Sequence, residues 1–178
     1  MITPGKREKE KRRKEKQQTK LAAMARNAAN RDMERTAAWP PDAGSLPNWP
    51  TSRTQPIVDE LVSMVGPEPP TAWRTMVRRI ASNPGDLSGY RTLGLELLSE
   101  GNIPAALGVF NIVIREFPHH PLGPWKYAVC LRTKGDLAAC GEWMQRAWRR
   151  AQELPRAIDA VERAEFDRDA QLAGLKVS

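Results

Sequence analysis

The stretch Leu97-Leu98-Ser99-Glu100-Gly101-Asn102-Ile103-Pro104-Ala105-Ala106 returns 34 residues later as Leu131-Arg132-Thr133-Lys134-Gly135-Asp136-Leu137-Ala138-Ala139-Cys140. Each copy places a leucine four residues before a glycine. Asn or Asp and an aliphatic residue follow, and a small side chain comes five residues past the glycine. Glycine takes positive φ at low cost, so it closes one helix. Pro104 then opens the next, where its missing N–H goes unused. The same register carries Phe110 to Met144, Val113 to Ala147 and Ile114 to Trp148. One period back, Ala106 matches Ala72, Phe110 matches Met76, Ile114 matches Ile80 and Pro118 matches Pro84. A step of this length that keeps both apolar and turn positions predicts helix–turn–helix units in series. Such arrays usually present binding surfaces and not catalytic centres.

In the middle unit, Tyr90, Leu93, Gly94, Leu97 and Leu98 follow the i, i+3, i+4 spacing of one buried helical face. Ala106, Phe110, Val113, Ile114 and Phe117 make the matching face of the second helix, and Pro118 ends it. Ala106 is small where two helices approach, and Phe110 is the knob between them. These positions resemble the tetratricopeptide repeat (TPR) family over residues 53–154, in units 53–86, 87–120 and 121–154. The middle unit meets the family pattern throughout. The third keeps Leu131, Gly135-Asp136, Met144 and Ala147, but has Tyr127-Ala128 in place of the Leu-Gly pair. The first keeps Ala72, Met76, Ile80 and Pro84, and joins its helices through Gly66-Pro67-Glu68-Pro69-Pro70. The expected fold is all-α, a short TPR-like solenoid of about three units. A basic arm, helical or partly disordered, precedes it at 1–38, with a Pro/Trp-rich linker at 39–52. Residues 155–178 are expected to form a C-terminal capping helix and tail. Leu154, Ile158, Val161 and Ala164 would face inward, and Asp159, Glu162, Glu165 and Asp167 mostly elsewhere, with Leu172 and Leu175 extending the helix.

The resemblance also implies a partner groove, because the first helix of each family unit lines a concave face. Carried onto this chain, the groove takes Ile57, Leu61 and Met64 from the first unit and Arg91, Leu95 and Leu98 from the second. The third contributes Trp125, Val129 and Arg132. Leu95 and Val129 stand where the chaperone-tail-binding subtype has asparagines, which argues against that mode. A mostly apolar groove suits an amphipathic helix or extended peptide, with Trp125 as an anchor. The chain's own linker is the competing occupant, through Trp39, Leu46 and Trp49.

The net charge of +7 lies wholly in the arm: residues 1–36 hold 12 basic and 5 acidic side chains, and the remainder balances. Lys6, Arg7, Lys9, Lys11, Arg12, Arg13, Lys14, Lys16 and Lys20 are candidate polyanion contacts. They would attach the arm to RNA or a ribosome through phosphates. An anionic membrane surface and a merely solvated tail are the other readings. The interspersed Glu8, Glu10 and Glu15, and the lack of aromatic residues before Trp39, weaken the first two.

No phosphate loop, nucleophile elbow or zincin motif occurs, so neither an enzyme nor a cofactor is expected. His119 and His120 adjoin on a turn without a third ligand, and no metal site is expected. Cys130 and Cys140 fall on apolar helix faces as buried thiols. With no spanning run and no secretory signal, cytoplasmic placement is expected. The expected function is a non-catalytic scaffold or adaptor that binds a protein or peptide through the groove. The alternative is an RNA- or ribosome-associated factor anchored by the arm.

Overall fold

The computed structural model describes residues 16, 39–41, 44 and 48–176. The chain divides into two units, 1–38 and 39–178, and every element below belongs to the second. Of the candidate arm cations, only Lys16 lies among the described residues, helical and exposed. The other eight, and Leu46 of the linker, lie outside them.

The described elements are helical. In chain order they are α1 (Thr51–Val65), α2 (Thr71–Ser82), α3 (Leu87–Ser99), α4 (Ile103–Glu116), α5 (Leu122–Lys134) and α6 (Leu137–Glu153). A 3₁₀ turn at Pro155–Ala157 leads to α7 (Ala160–Leu172). Each helix from α1 to α6 packs on its successor.

The 34-residue step reappears in the backbone hydrogen bonds. Asn102 N–H donates to Leu97 O at 2.8 Å, and Asp136 N–H donates to Leu131 O at 2.9 Å. Gly101 and Gly135 close α3 and α5 with φ of 77° and 89°. The Asn102 side chain then caps α4 by accepting from Ala105 N–H, and Asp136 caps α6 by accepting from Ala139 N–H. The Asn/Asp alternation therefore preserves one physical job, acceptance from an orphan N–H at the helix start. The turns before the units match as well: Asp86 N–H donates to Asn83 O, and His120 N–H to Phe117 O, both at 3.0 Å.

Two apolar clusters share α5 as a wall. The first gathers Ile57, Leu61, Val77, Ile80, Tyr90, Leu93, Leu97, Phe110 and Val113, with Cys130 reaching in from α5. The second gathers Leu122, Trp125, Ala128, Leu131, Cys140, Met144 and Phe166. Because α5 buries side chains all round, its sequence lacks a clean polar stripe. Both cysteines are buried and unbonded. Burial pushes the Cys130 thiol up to about 12, which makes it inert as a nucleophile.

The first unit departs from a simple series, because α1 lies against α4 as well as α2. Arg53 pairs with Glu116 at 3.0 Å and Glu60 with Arg115 at 2.9 Å. Met64 Sδ sits 2.7 Å from where a Cβ on Gly108 would stand. The proline-rich Gly66–Pro70 connection ends α1 and permits this crossing. Trp49 and Trp39 pack against the same cluster. The Trp49 ring lies 5.7 Å from Phe117 and beneath the Arg53 guanidinium at 4.1 Å. The two linker tryptophans thus dock on the first half of the domain.

Phe110 is fully buried, and its ring fills the space that a side chain at Gly94 would need. A Cβ there would fall 2.7 and 2.9 Å from the Cε2 and Cε1 ring atoms. Phe110→Ala should cost about 3–5 kcal/mol through its cavity. Gly94→Ala should destabilise by about 1–3 kcal/mol through overpacking, although alanine is the better helix former. Denaturant unfolding measures both, and a neutral or stabilised Gly94→Ala would refute the close approach.

Candidate functional site

Four of the predicted groove residues lie on the face made by α3 and α5. Arg91 projects from α3, and Trp125, Val129 and Arg132 lie one turn apart along α5, with Lys126 beside them. What occupies this face is α7. Glu162, Glu165, Phe166 and Asp169 fall at i, i+3, i+4 and i+7, one helical stripe, and all four engage α3, α5 or α6.

The contacts are specific. Trp125 Nε1–H donates to Asp169 Oδ2 at 2.9 Å, and Arg132 donates to the other oxygen of that carboxylate at 3.0 Å. Lys126 Nζ pairs with Glu165 at 2.6 Å and stands 3.6 Å over the Trp125 ring. Arg91 spans two carboxylates, Glu162 at 2.8 Å and Glu165 at 3.1 Å. Phe166 meets Trp125 edge-on at 5.1 Å and stacks on Trp148 of α6 at 5.6 Å. The Arg91 Nε–H is buried and lacks a hydrogen-bond acceptor among the described residues.

Burial pushes the Lys126 ammonium below a lysine's ordinary value, against the pull of Glu165. For Glu165, burial alone would raise the pKa. The hydrogen bond from Lys126 and the charges of Lys126 and Arg91 outweigh it and hold the carboxyl below its ordinary 4.5. His120, next to this face, is lowered from 6.5 by burial, opposed by Glu162. Its Nδ1 accepts from Leu122 N–H at 3.1 Å, a bond that requires that nitrogen unprotonated.

The docked face of α7 differs from the one expected from hydrophobic pattern: Ile158, just before the helix, is buried as expected, but Leu154 is 41% exposed. Val161 is 84% exposed, and Ala164 is exposed too. The carboxylates turn inward because Arg91, Lys126 and Arg132 await them, and Phe166 supplies the large apolar anchor. Trp125 is fully buried under this helix. Val129 packs at the edge of the second cluster, and Leu95 and Leu98 at the edge of the first. Ile57 and Leu61 are interior and Met64 reaches toward α4, so these three do not join Arg91 and Trp125. The linker tryptophans likewise lie with the first cluster, apart from the α3–α5 face.

Reading the sequence missed Lys126, Glu162, Glu165, Phe166 and Asp169. The usable signal was a lysine beside Trp125 in a helix of otherwise apolar surroundings, since a cation placed there needs a carboxylate. Among the described residues, no group of three or more His, Cys, Asp or Glu is arranged to hold a metal. No described helix is long and apolar enough to cross a membrane. Comparison with family models, curated proteins and solved structures finds no match.

Burying Phe166 contributes about 1.5–3 kcal/mol, while the partly exposed ion pairs add about 0–1 kcal/mol each. Asp169, nearly buried with two charged or polar donors, matters more. Asp169→Ala should cost about 2–3 kcal/mol in chemical denaturation, and Asp169→Asn roughly half as much.

The pH dependence has a definite sign. Glu165 has a depressed folded pKa, so its stabilisation is present above 4.5 and is lost as pH falls through the folded value. His120, also depressed, subtracts stability as pH falls below 6.5. Acidification from pH 7 to pH 3 should therefore accelerate amide exchange through α7 before the central residues of α3 and α4, whose own depressed carboxyls, Asp86 and Glu116, lie at the helix ends. Uniform acceleration across the helices would contradict it.

Proposed function

We propose that the protein is a non-catalytic interaction scaffold of TPR-like type, working in the cytoplasm, that recruits a protein partner through the α3–α5 groove. One observation supports this above the rest: the groove already holds a helix by a set of directional contacts. A tryptophan donor, three cations and an aromatic edge converge on α7. That is the chemistry of helix-in-groove recognition, with a buried aromatic and arginines at its centre. The repeated turn geometry and the inert, buried cysteines are consistent with a structural and not a catalytic chain.

The concentration of all net charge in residues 1–36 favours a second reading, an RNA- or ribosome-associated factor anchored by the arm. The two separate in a pull-down with the full chain and a chain lacking residues 1–36, with and without nuclease. The scaffold reading expects the partner to survive both treatments. It also expects affinity to change by less than about tenfold between 50 and 200 mM salt, because partly buried pairs are weakly screened. Loss on deletion, with affinity falling ~10³-fold over the same range, would instead fit about six phosphate contacts.

A further inference from the structure

A partner helix and α7 would need the same face, so the two exclude one another. We propose that α7 is an intramolecular latch, displaced by an acidic amphipathic partner helix that carries carboxylates at i, i+3 and i+7 and an aromatic side chain at i+4. This rests on the groove reading above and adds the partner's chemistry and the device that controls access.

Charge complementarity selects the partner. The cations Arg91, Lys126 and Arg132 read the spacing of Glu162, Glu165 and Asp169, and Trp125 reads the aromatic ring between them. Without an occupant, Trp125 and Lys126 would come into water from 0% and 1% exposure. The groove therefore favours exchange of one helix for another over standing open.

Three observations make α7 the displaceable element. It buries only Phe166, Asp169 and Ala170, whereas α4, of similar length, buries six apolar side chains. It is joined to α6 by a short connection, Leu154–Asp159, which contains the 3₁₀ turn and an exposed Leu154–Arg156 stretch and is pinned to the second cluster only by Ile158. Its outward face leaves Val161 and Leu172 at 84% and 63% exposure, so among the described residues no further layer clamps it. The Arg91 Nε–H, buried without an acceptor among the described residues, is a donor that α7 fails to use and a better-matched helix could satisfy.

The test uses the full chain and, as probe, a fluorescein-labelled peptide of residues 159–175. Wild type is compared with Glu162→Lys/Glu165→Lys, which sets like charges against Arg91 and Lys126 and frees α7. The tethered helix competes at millimolar effective concentration, so the variant should bind the probe about tenfold more tightly, or better, than wild type. In wild type, amides of residues 160–172 should exchange faster than those of residues 122–134. Equal probe affinity in the two chains, or α7 amides exchanging no faster than those of α5, overturns the latch. So does loss of helical circular dichroism in the variant beyond the share of α7 itself, because a displaceable helix leaves the remaining fold intact. Concentration-dependent dimerisation of wild type without probe binding would assign the exchange to a second copy and overturn the partner proposal. Probe binding to the variant with a failed pull-down would retain the latch and remove the scaffold. Partner capture with equal probe affinity would do the reverse.

Discussion

A lysine ammonium in the interior constrains the C-terminal half of this fold. Lys126 is essentially buried, set over the face of Trp125 and 2.6 Å from Glu165. Removing such a charge from water costs several kcal/mol unless a counter-ion and further hydrogen bonds meet it. The ring quadrupole supplies part of the compensation and Glu165 the rest. Glu165 can reach only if α7 crosses α3 and α5, and the crossing brings Asp169 to Trp125 and Arg132, and Glu162 to Arg91. The position of α7 and the burial of Trp125 both go with meeting that one charge.

The same logic separates two kinds of helix in one chain. The helices α3 and α4 are held by shape: Gly94 admits the Phe110 ring, and apolar residues on both sides close around it. The helix α7 is held chiefly by charge and one aromatic side chain. Apolar packing is indifferent to pH, whereas the Glu165 pairs are lost as that carboxyl protonates. A groove closed by such a helix differs in kind from a groove closed by core.

Legibility in the sequence followed the range of the interactions. The α3–turn–α4 unit was readable because its determinants are local: a glycine with positive φ, a capping Asn or Asp, and an apolar face repeating every three or four residues. The Cys130 and Cys140 interiors were readable for the same reason. The inward face of α7 was not. A short helix with one phenylalanine and many carboxylates has no dominant apolar side, so Val161 and Ala164 looked as good as Phe166. The partners of Glu165 lie 39 and 74 residues back along the chain, beyond any local pattern. The crossing of α1 onto α4 was hidden likewise, because Ile57 and Leu61 look apolar whichever neighbour buries them.

By itself, the sequence determined the number and ends of the central helices, their repeat step, the apolar faces of α3 and α4, and the confinement of net charge to the first 36 residues. These rest on backbone propensity and short-range periodicity, which each segment carries with it. Only the tertiary structure decided that Trp125 is covered, that α7 turns its carboxylates inward, and that α1 belongs to α4 as much as to α2. Those outcomes depend on which distant charge or knob a face encounters, and a face acquires that partner only when the chain has folded.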